Sequence, residues 1–151
     1  MKKKIIAIDD EPLIAVLMKE IIEEDSELEV AQIATEKNEF VYFVENGSFD
    51  AGIVDISVGG REGGLELLQI IKDKALQIPL IMLSAHDELL YAPKCLQAGA
   101  RGYINKKHIC TDIGPCLKQV FDGHYFVSGD KGDFIVKEYL KFSNPVGIQS
   151  L

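Results

Sequence analysis

The stretch KKKIIAIDDEP, residues 2–12, sets an apolar run directly before three consecutive acids, Asp9, Asp10 and Glu11. A short, continuous apolar run is typical of a strand that is buried on both faces, as in a parallel sheet. Buried carboxylates are costly, and neighbouring carboxylates oppose each other's ionisation. We therefore expect the concentrated negative charge at the end of this predicted strand to have a function.

The rest of the sequence repeats this pattern, in which a short apolar run is followed by a helical periodicity. Such alternation predicts an α/β fold, a doubly wound, five-stranded parallel sheet with helices on both faces. We predict strands at 4–8, 28–34, 51–57, 78–85 and 101–106, and helices at 12–24, 37–45, 65–73, 87–100 and 111–122.

Polar side chains stand at the carboxyl ends of four predicted strands. Asp9 and Asp10 follow the first strand, Asp55 lies near the end of the third, Ser84 near the end of the fourth, and Lys106 ends the fifth. In sheets of this class, ligands bind beyond the carboxyl ends of the strands. We therefore expect these side chains to converge in one cleft.

Three acids, a hydroxyl and an ammonium group at one edge favour magnesium-dependent phosphoryl chemistry. Mg²⁺ prefers oxygen ligands and usually binds one or two carboxylates together with water and phosphate oxygens. A carboxylate beside the cation can attack phosphorus and form an aspartyl phosphate. The cation and the lysine would then neutralise charge on the phosphoryl oxygens, and the serine hydroxyl would donate to one of them.

Each of these residues, taken alone, also has an ordinary structural interpretation. Asp9, Asp10 or Ser84 could cap the helix that follows it, since Asp and Ser are favoured capping residues. Asp55 and Lys106 could be solvated charges at strand ends. The interpretation as a site depends on their convergence at one edge of the sheet.

Four motifs resemble the receiver domain of two-component response regulators, in order and in approximate spacing. They are IDDE at 8–11, VDIS at 54–57, LSA at 83–85 and GARGYINK at 99–106. The resemblance covers residues 1–123, which we predict to be the receiver domain, and it implies a flavodoxin-like sheet with the strand order 2-1-3-4-5. It also implies a signalling protein that receives a phosphoryl group from a sensor histidine kinase, and not an enzyme.

The resemblance assigns a role to each acid of the predicted cleft. Asp55 would be the phosphoacceptor. Asp9, Asp10 and Asp55 would bind Mg²⁺, with Asp10 as a direct ligand, and the backbone carbonyl of Ser57 would be a further ligand.

The resemblance also implies a conformational switch. Lys106 would pair with the phosphoryl group, Ser84 would donate a hydrogen bond to it, and Tyr103 would turn inward when Ser84 shifts. These movements would bias a surface made by the fourth helix, the fifth strand and the fifth helix, which then binds a partner or a second copy of the chain.

The loop after the acceptor departs from the family pattern. Most members have a proline four positions after the acceptor, where this chain has Gly59, and the helix-opening GLELL begins one residue later, at Gly64. We interpret VGGREGG, residues 58–64, as a loop that is one residue longer and more flexible.

The composition excludes several other classes of protein. The chain has 151 residues, of which 47% are hydrophobic, so it can form one core. Its net charge of −8 argues against nucleic-acid binding by this segment. It has neither a membrane-length apolar run nor a recognisable signal peptide, so we expect no membrane contact and a cytoplasmic location.

Residues 124–151 follow a different pattern, and we predict a C-terminal extension or linker with one helix at 133–142. GHYFVS, residues 123–128, resembles the start of the linker in regulators that carry a helix-turn-helix output domain. Two interpretations stay open: a stand-alone receiver with an extension, or the receiver and linker of a longer regulator of transcription.

Two other functions also stay open. A Mg²⁺-dependent phosphohydrolase with an aspartyl nucleophile usually needs a second acid two residues after the nucleophile, and Ser57 occupies that position here. A receiver-like interaction module that works without phosphorylation would keep the fold but would not bind Mg²⁺.

Overall fold

A computed structural model gives the structure of the protein and describes residues 1–143. Strands and helices alternate along the chain, as the sequence predicts. The strands are β1 (Lys3–Ile8), β2 (Leu28–Ala34), β3 (Ala51–Asp55), β4 (Leu80–Ser84), β5 (Gly102–Asn105) and β6 (Phe126–Val127). The helices are α1 (Pro12–Ile22), α2 (Lys37–Asn46), α3 (Gly63–Asp73), α4 (Glu88–Gln97), α5 (Ile109–Phe121) and α6 (Gly132–Ser143), and a single 3₁₀ turn (Lys106–His108) precedes α5.

The strands form one parallel sheet in the order β2-β1-β3-β4-β5-β6. This confirms the predicted doubly wound fold and the order 2-1-3-4-5, but the predicted count of five strands is corrected to six. The added strand β6 has only two residues and lies between polar and glycine residues, so it gives no apolar run that would predict a strand.

The sheet separates two apolar layers, and β1 shows how both are filled. Ile6 and Ile8 point into the layer beneath α2, α3 and α4, whereas Ile5 and Ala7 point into the layer beneath α1 and α5. Successive side chains of a strand alternate between the faces of its sheet, so a strand covered on both sides must be apolar throughout.

Helix α1 packs only some of its apolar residues on the sheet. Met18 and Ile22 are fully buried, whereas Leu13 and Val16 are 83% and 59% exposed. The buried face of α1 therefore runs through Met18 and Ile22, and Leu13 and Val16 lie outside it. An apolar surface remains open at the start of α1, directly after the acidic triplet.

The C-terminal strand and helix pack onto the body of the sheet. β6 pairs with β5 from Gly102 to Phe126 and from Tyr103 to Val127, and Ile135 of α6 is buried in the same apolar layer as α4. The predicted helix at 133–142 is confirmed with slightly wider bounds. Residues 144–151 of the predicted extension lie outside the described residues. Among residues 1–143, no helix has the length and apolar character needed to cross a membrane.

Candidate functional site

The carboxyl edge of the sheet brings together acids from two neighbouring strands. Asp9 follows β1 and Asp55 ends β3, and both side chains are almost completely buried. Oxygen atoms of Asp9, Glu11 and Asp55 lie within 4.8 Å of one another. The central position of β1 and β3 in the sheet therefore creates a compact acidic site in the crevice that the fold predicts.

Lys106 supplies the positive charge of this site. Its Nζ lies 2.8 Å from Oε1 of Glu11, 3.4 Å from Oδ1 of Asp55 and 3.9 Å from Oδ2 of Asp9. The residue stands just beyond β5, as the first residue of the 3₁₀ turn, and not on the strand where the sequence placed it. One ammonium group thus faces three carboxylates.

Two carboxylate oxygens in the site have no hydrogen-bond partner. Oδ1 of Asp9 accepts from the backbone N–H of Glu11, and Oδ1 of Asp55 accepts from the N–H and the hydroxyl of Ser57. The second oxygen of each aspartate, Oδ2, is buried without such a partner. Buried polar atoms are nearly always satisfied, so this pair of oxygens indicates a group that the protein is built to receive.

The electrostatics of the site agree with that interpretation. Burial raises the pKa of Asp9 to about 6, opposed by the N–H of Glu11 and by Lys106 and reinforced by the charge of Asp55. Partial burial lowers the pKa of Lys106, but its hydrogen bond with Glu11 and the charges of Asp55 and Asp9 outweigh that effect and raise it. Lys106 is therefore held as a cation, while Asp9 carries a charge that is costly without a further cation.

Asp10, the second acid of the triplet, lies outside the close group of oxygens. Asp10 is exposed, and the close group of oxygens contains Glu11 in its place. Sequence reasoning did not single out Glu11 as a site residue, although its place in the acidic triplet was the available signal. The direct contact of Asp10 with Mg²⁺ therefore stays a prediction, and Glu11 is a further candidate ligand.

The loop after Asp55 is compact and hydrogen-bonded. The carbonyl of Ser57, the predicted ligand, accepts from the N–H of Gly60, and the N–H of Gly64 donates to the carbonyl of Ile56. A Cβ on Gly64 would lie 2.6 Å from Cα of Ile56 and 2.7 Å from the carbonyl oxygen of Asp55. Only glycine lets the start of α3 approach the acceptor loop this closely.

Ser84 and Tyr103 meet at the backbone of His86. The buried hydroxyl oxygen of Ser84 accepts from the N–H of His86, and the hydroxyl of Tyr103 donates to the carbonyl of His86 at 2.5 Å. Tyr103 is fully buried, and burial raises the pKa of its hydroxyl above the usual range. The predicted switch residue therefore lies in the inward position, and the two predicted switch residues are joined through one peptide.

The donor set at this edge fits a hard divalent cation. It offers buried carboxylate oxygens from Asp9 and Asp55, two of which have no hydrogen-bond partner. Mg²⁺ binds oxygen ligands and commonly uses one or two carboxylates with several waters. The residues present therefore fit the predicted cofactor.

Comparison with known proteins agrees with the fold and with the family resemblance. The family model of the response regulator receiver domain matches residues 5–113. The Fimbriae Z protein of Salmonella typhimurium is 24% identical over 131 residues, which cover 87% of this chain and 62% of that protein. Response regulator UvrY of Escherichia coli is 26% identical over 126 residues, covering 83% of this chain and 57% of UvrY.

Solved structures share the same architecture. A two-component response regulator of the LuxR family from Aurantimonas sp. SI85-9A1 superimposes with a TM-score of 0.80 at 19% identity, covering 91% of this chain and 97% of that one. The non-phosphorylated receiver domain of RcsB from Escherichia coli gives a TM-score of 0.77 at 18% identity, with 85% and 100% covered.

The share of the matched protein that this chain covers differs between the curated relatives and the solved structures. The chain spans only 57% to 62% of the length of the curated relatives, whereas it covers nearly all of the two solved structures. Since the family model alone spans well over half of the sequence, the chain belongs to the response regulator receiver domain family of two-component signalling proteins.

Proposed function

We propose that Asp55 is the phosphoacceptor of this receiver domain and that its phosphorylation is the signalling event. The observation that carries the proposal is the buried carboxylate of Asp55, whose Oδ2 has no hydrogen-bond partner and whose Oδ1 lies 3.4 Å from Nζ of Lys106. A nucleophilic carboxylate beside a fixed ammonium group is the arrangement that phosphoryl transfer to an aspartate needs.

The transfer step moves one phosphoryl group from the donor to the carboxylate of Asp55. A carboxylate oxygen of Asp55 forms a bond to phosphorus, and the bond between phosphorus and the donor's leaving group breaks. The leaving group keeps the electron pair of that bond; a phosphohistidine ring that carries a proton on its other nitrogen leaves as a neutral imidazole. The product is an acyl phosphate whose oxygens face Lys106.

The residues that would hold Mg²⁺ are Asp9, Asp55 and the carbonyl of Ser57, together with Asp10 as predicted or Glu11, which lies in the close group. When bound, the cation would neutralise charge on the phosphoryl oxygens. Glu11 contacts Lys106 at 2.8 Å, so binding of a cation by Glu11 would free the ammonium group to approach the phosphoryl oxygens.

A sensor histidine kinase is the donor that we propose. The apolar start of α1 supports this, because Leu13, Val16 and Leu17 are exposed directly beside the acidic triplet. An apolar surface next to a reactive carboxylate can align a partner protein for the transfer.

We propose that residues 1–123 form the receiver and that residues 124–151 form an extension or linker. Residues 126–143 lie on β5 and α4, which belong to the surface predicted for a homodimer. Dimerisation through α4, β5 and α5 would have to accommodate this segment. Control of transcription would require an output domain in addition to the receiver domain.

Intact-mass spectrometry tests the proposed function. The full chain is incubated with Mg²⁺ and acetyl phosphate, beside Asp55→Asn and beside a sample with a chelator. We expect a gain of one phosphoryl group in the wild type only, and only with Mg²⁺. A receiver-like module that works without phosphorylation would show no gain of mass and would not bind Mg²⁺.

The same experiment separates a phosphohydrolase from a receiver. Ser57 stands where such an enzyme would carry its second acid, and its hydroxyl donates to Oδ1 of Asp55 at 3.0 Å. A serine hydroxyl is a poor general acid–base at neutral pH, so we expect a phosphoryl group to accumulate on Asp55 without repeated turnover of acetyl phosphate.

A further inference from the structure

A C-terminal segment of the chain packs on helix α4 and strand β5. We name residues 126–143, which comprise β6 and α6, the C-terminal cover. Its strand pairs with the outer edge of β5, and the N–H of Ser128 donates to the carbonyl of Tyr103 at 2.9 Å. Its helix packs on α4, with Ile135 buried.

Three buried polar residues fasten this cover, and we name them the polar cluster: Glu88, Asn105 and Ser128. The hydroxyl of Ser128 donates to Oε2 of Glu88 at 3.0 Å and accepts from the N–H of Asn105 at 2.8 Å. The side-chain amide of Asn105 donates to Oε1 of Glu88 at 3.3 Å. The cluster thus joins α4, β5 and the cover at one point.

The local backbone is shaped to bring the carboxylate of Glu88 against the cover. Gly129 follows Ser128 and has a φ of 85°, and a Cβ on it would collide with Oε2 of Glu88. Nε2 of His108 lies 3.5 Å from the same oxygen. A buried carboxylate that is enclosed on several sides holds one geometry, since leaving any of its partners is costly.

The polar cluster is continuous with the proposed phosphorylation site. The amide of Asn105 also donates to the carbonyl of His86, at 3.2 Å, and this carbonyl accepts from the hydroxyl of Tyr103 as well. The N–H of His86 donates to the hydroxyl oxygen of Ser84. Asn105 directly precedes Lys106 in the sequence. Lys106 is therefore one hydrogen bond from the cover, through Asn105, and Ser84 is three hydrogen bonds from it, through His86 and Asn105.

We propose that the polar cluster couples the C-terminal cover to the acceptor site, so that phosphorylation of Asp55 holds the cover more firmly. In this structure the inward Tyr103 and the seated cover occur together and share the carbonyl of His86 and the backbone of Tyr103. A phosphoryl group held by Ser84 and Lys106 would restrain the neighbouring His86 and Asn105 in this arrangement. A state that favours the inward tyrosine therefore favours the seated cover, and by linkage the reverse holds. This inference rests on the proposed function of Asp55.

Hydrogen exchange of the full chain, measured by mass spectrometry, tests the coupling. Phosphorylation with acetyl phosphate and Mg²⁺ should slow exchange in residues 126–143 by about fivefold or more, the lower range of typical coupling. Ser128→Ala should speed exchange there and abolish the response. Ile135→Ala, which loosens the cover without touching the cluster, should speed basal exchange but keep the response, and the exposed Ser48→Ala should behave as the wild type.

Intact mass of the same samples separates the two possible failures. A phosphoryl gain with unchanged exchange in residues 126–143 would overturn the coupling and leave the proposed function intact. So would a Ser128→Ala variant that gains the phosphoryl group and still responds as the wild type does. Absence of any phosphoryl gain would overturn the proposed function, and the coupling with it.

Discussion

Nζ of Lys106 lies 3.4 Å from Oδ1 of Asp55 and 3.9 Å from Oδ2 of Asp9, so a single ammonium group faces two buried carboxylates from neighbouring strands. Its closest contact, however, is the exposed carboxylate of Glu11, at 2.8 Å. The positive charge is therefore shared, and the buried oxygens of both aspartates remain available to a divalent cation and a phosphoryl group.

Removal of this ammonium group should strengthen Mg²⁺ binding. Lys106→Ala deletes a positive charge that competes with the cation, so we expect Mg²⁺ affinity to rise by about threefold or more at low ionic strength. Calorimetric titration measures the change. Lys107→Ala, which removes the exposed neighbouring charge, is the matched control and should bind as the wild type does. Unchanged or weaker binding by Lys106→Ala would argue against this arrangement.

Neutralising Asp9 should stabilise the protein when Mg²⁺ is absent. Asp9→Asn removes a buried charge with an unpartnered oxygen, and we expect the free energy of unfolding at neutral pH to rise by about 1–3 kcal/mol. Urea unfolding with a chelator present gives this value. The exposed Asp10→Asn should change it little. A destabilised Asp9→Asn would show that the carboxylate is satisfied in the metal-free protein.

The same carboxylate predicts a pH dependence of stability. The pKa of Asp9 is about 6 in the folded protein and 3.8 in the unfolded reference, so the folded state binds this proton more tightly. Its contribution to stability is fully present below pH 3.8 and is lost as the pH rises through about 6. Without Mg²⁺, the wild type should lose more stability between pH 5 and 7.5, as a rough window, than Asp9→Asn does. Equal losses would contradict the prediction.

The glycine at the start of α3 should be intolerant of a side chain. Gly64→Ala would place a Cβ 2.7 Å from the carbonyl oxygen of Asp55, so we expect a loss of about 2–4 kcal/mol in unfolding free energy and slower phosphorylation. Gly114→Ala lies in α5 with open space around the added carbon and should be neutral or stabilising. Similar unfolding free energies for both variants would show that the acceptor loop can move aside.

Local patterns predicted most of the fold because buried parallel strands are apolar throughout. Residues 5–8 are such a run. The parallel sheet that these runs predict places Asp9, Asp55 and Lys106 at one edge, where the carboxyl ends of the strands meet. The sixth strand escaped prediction because its pairing comes from two residues against the edge of β5 and not from a pattern of its own.

Side-chain contacts between distant elements were beyond the reach of the sequence. Periodicity could not decide whether Asp10 or Glu11 turns into the site, since both follow the same strand and differ only in where the chain enters α1. Likewise, nothing in the sequence links Glu88 with Ser128, which lie 40 positions apart and meet only because β6 joins the sheet.

The most direct test of the central claim is to locate the phosphoryl group. Reduction of the phosphorylated chain with borohydride converts an aspartyl phosphate to homoserine, which peptide sequencing by tandem mass spectrometry can assign. We predict homoserine at position 55 alone, and only after incubation with Mg²⁺ and acetyl phosphate. Homoserine at Asp9 or Asp10, or a phosphoryl gain that leaves Asp55 unmodified, would contradict the account.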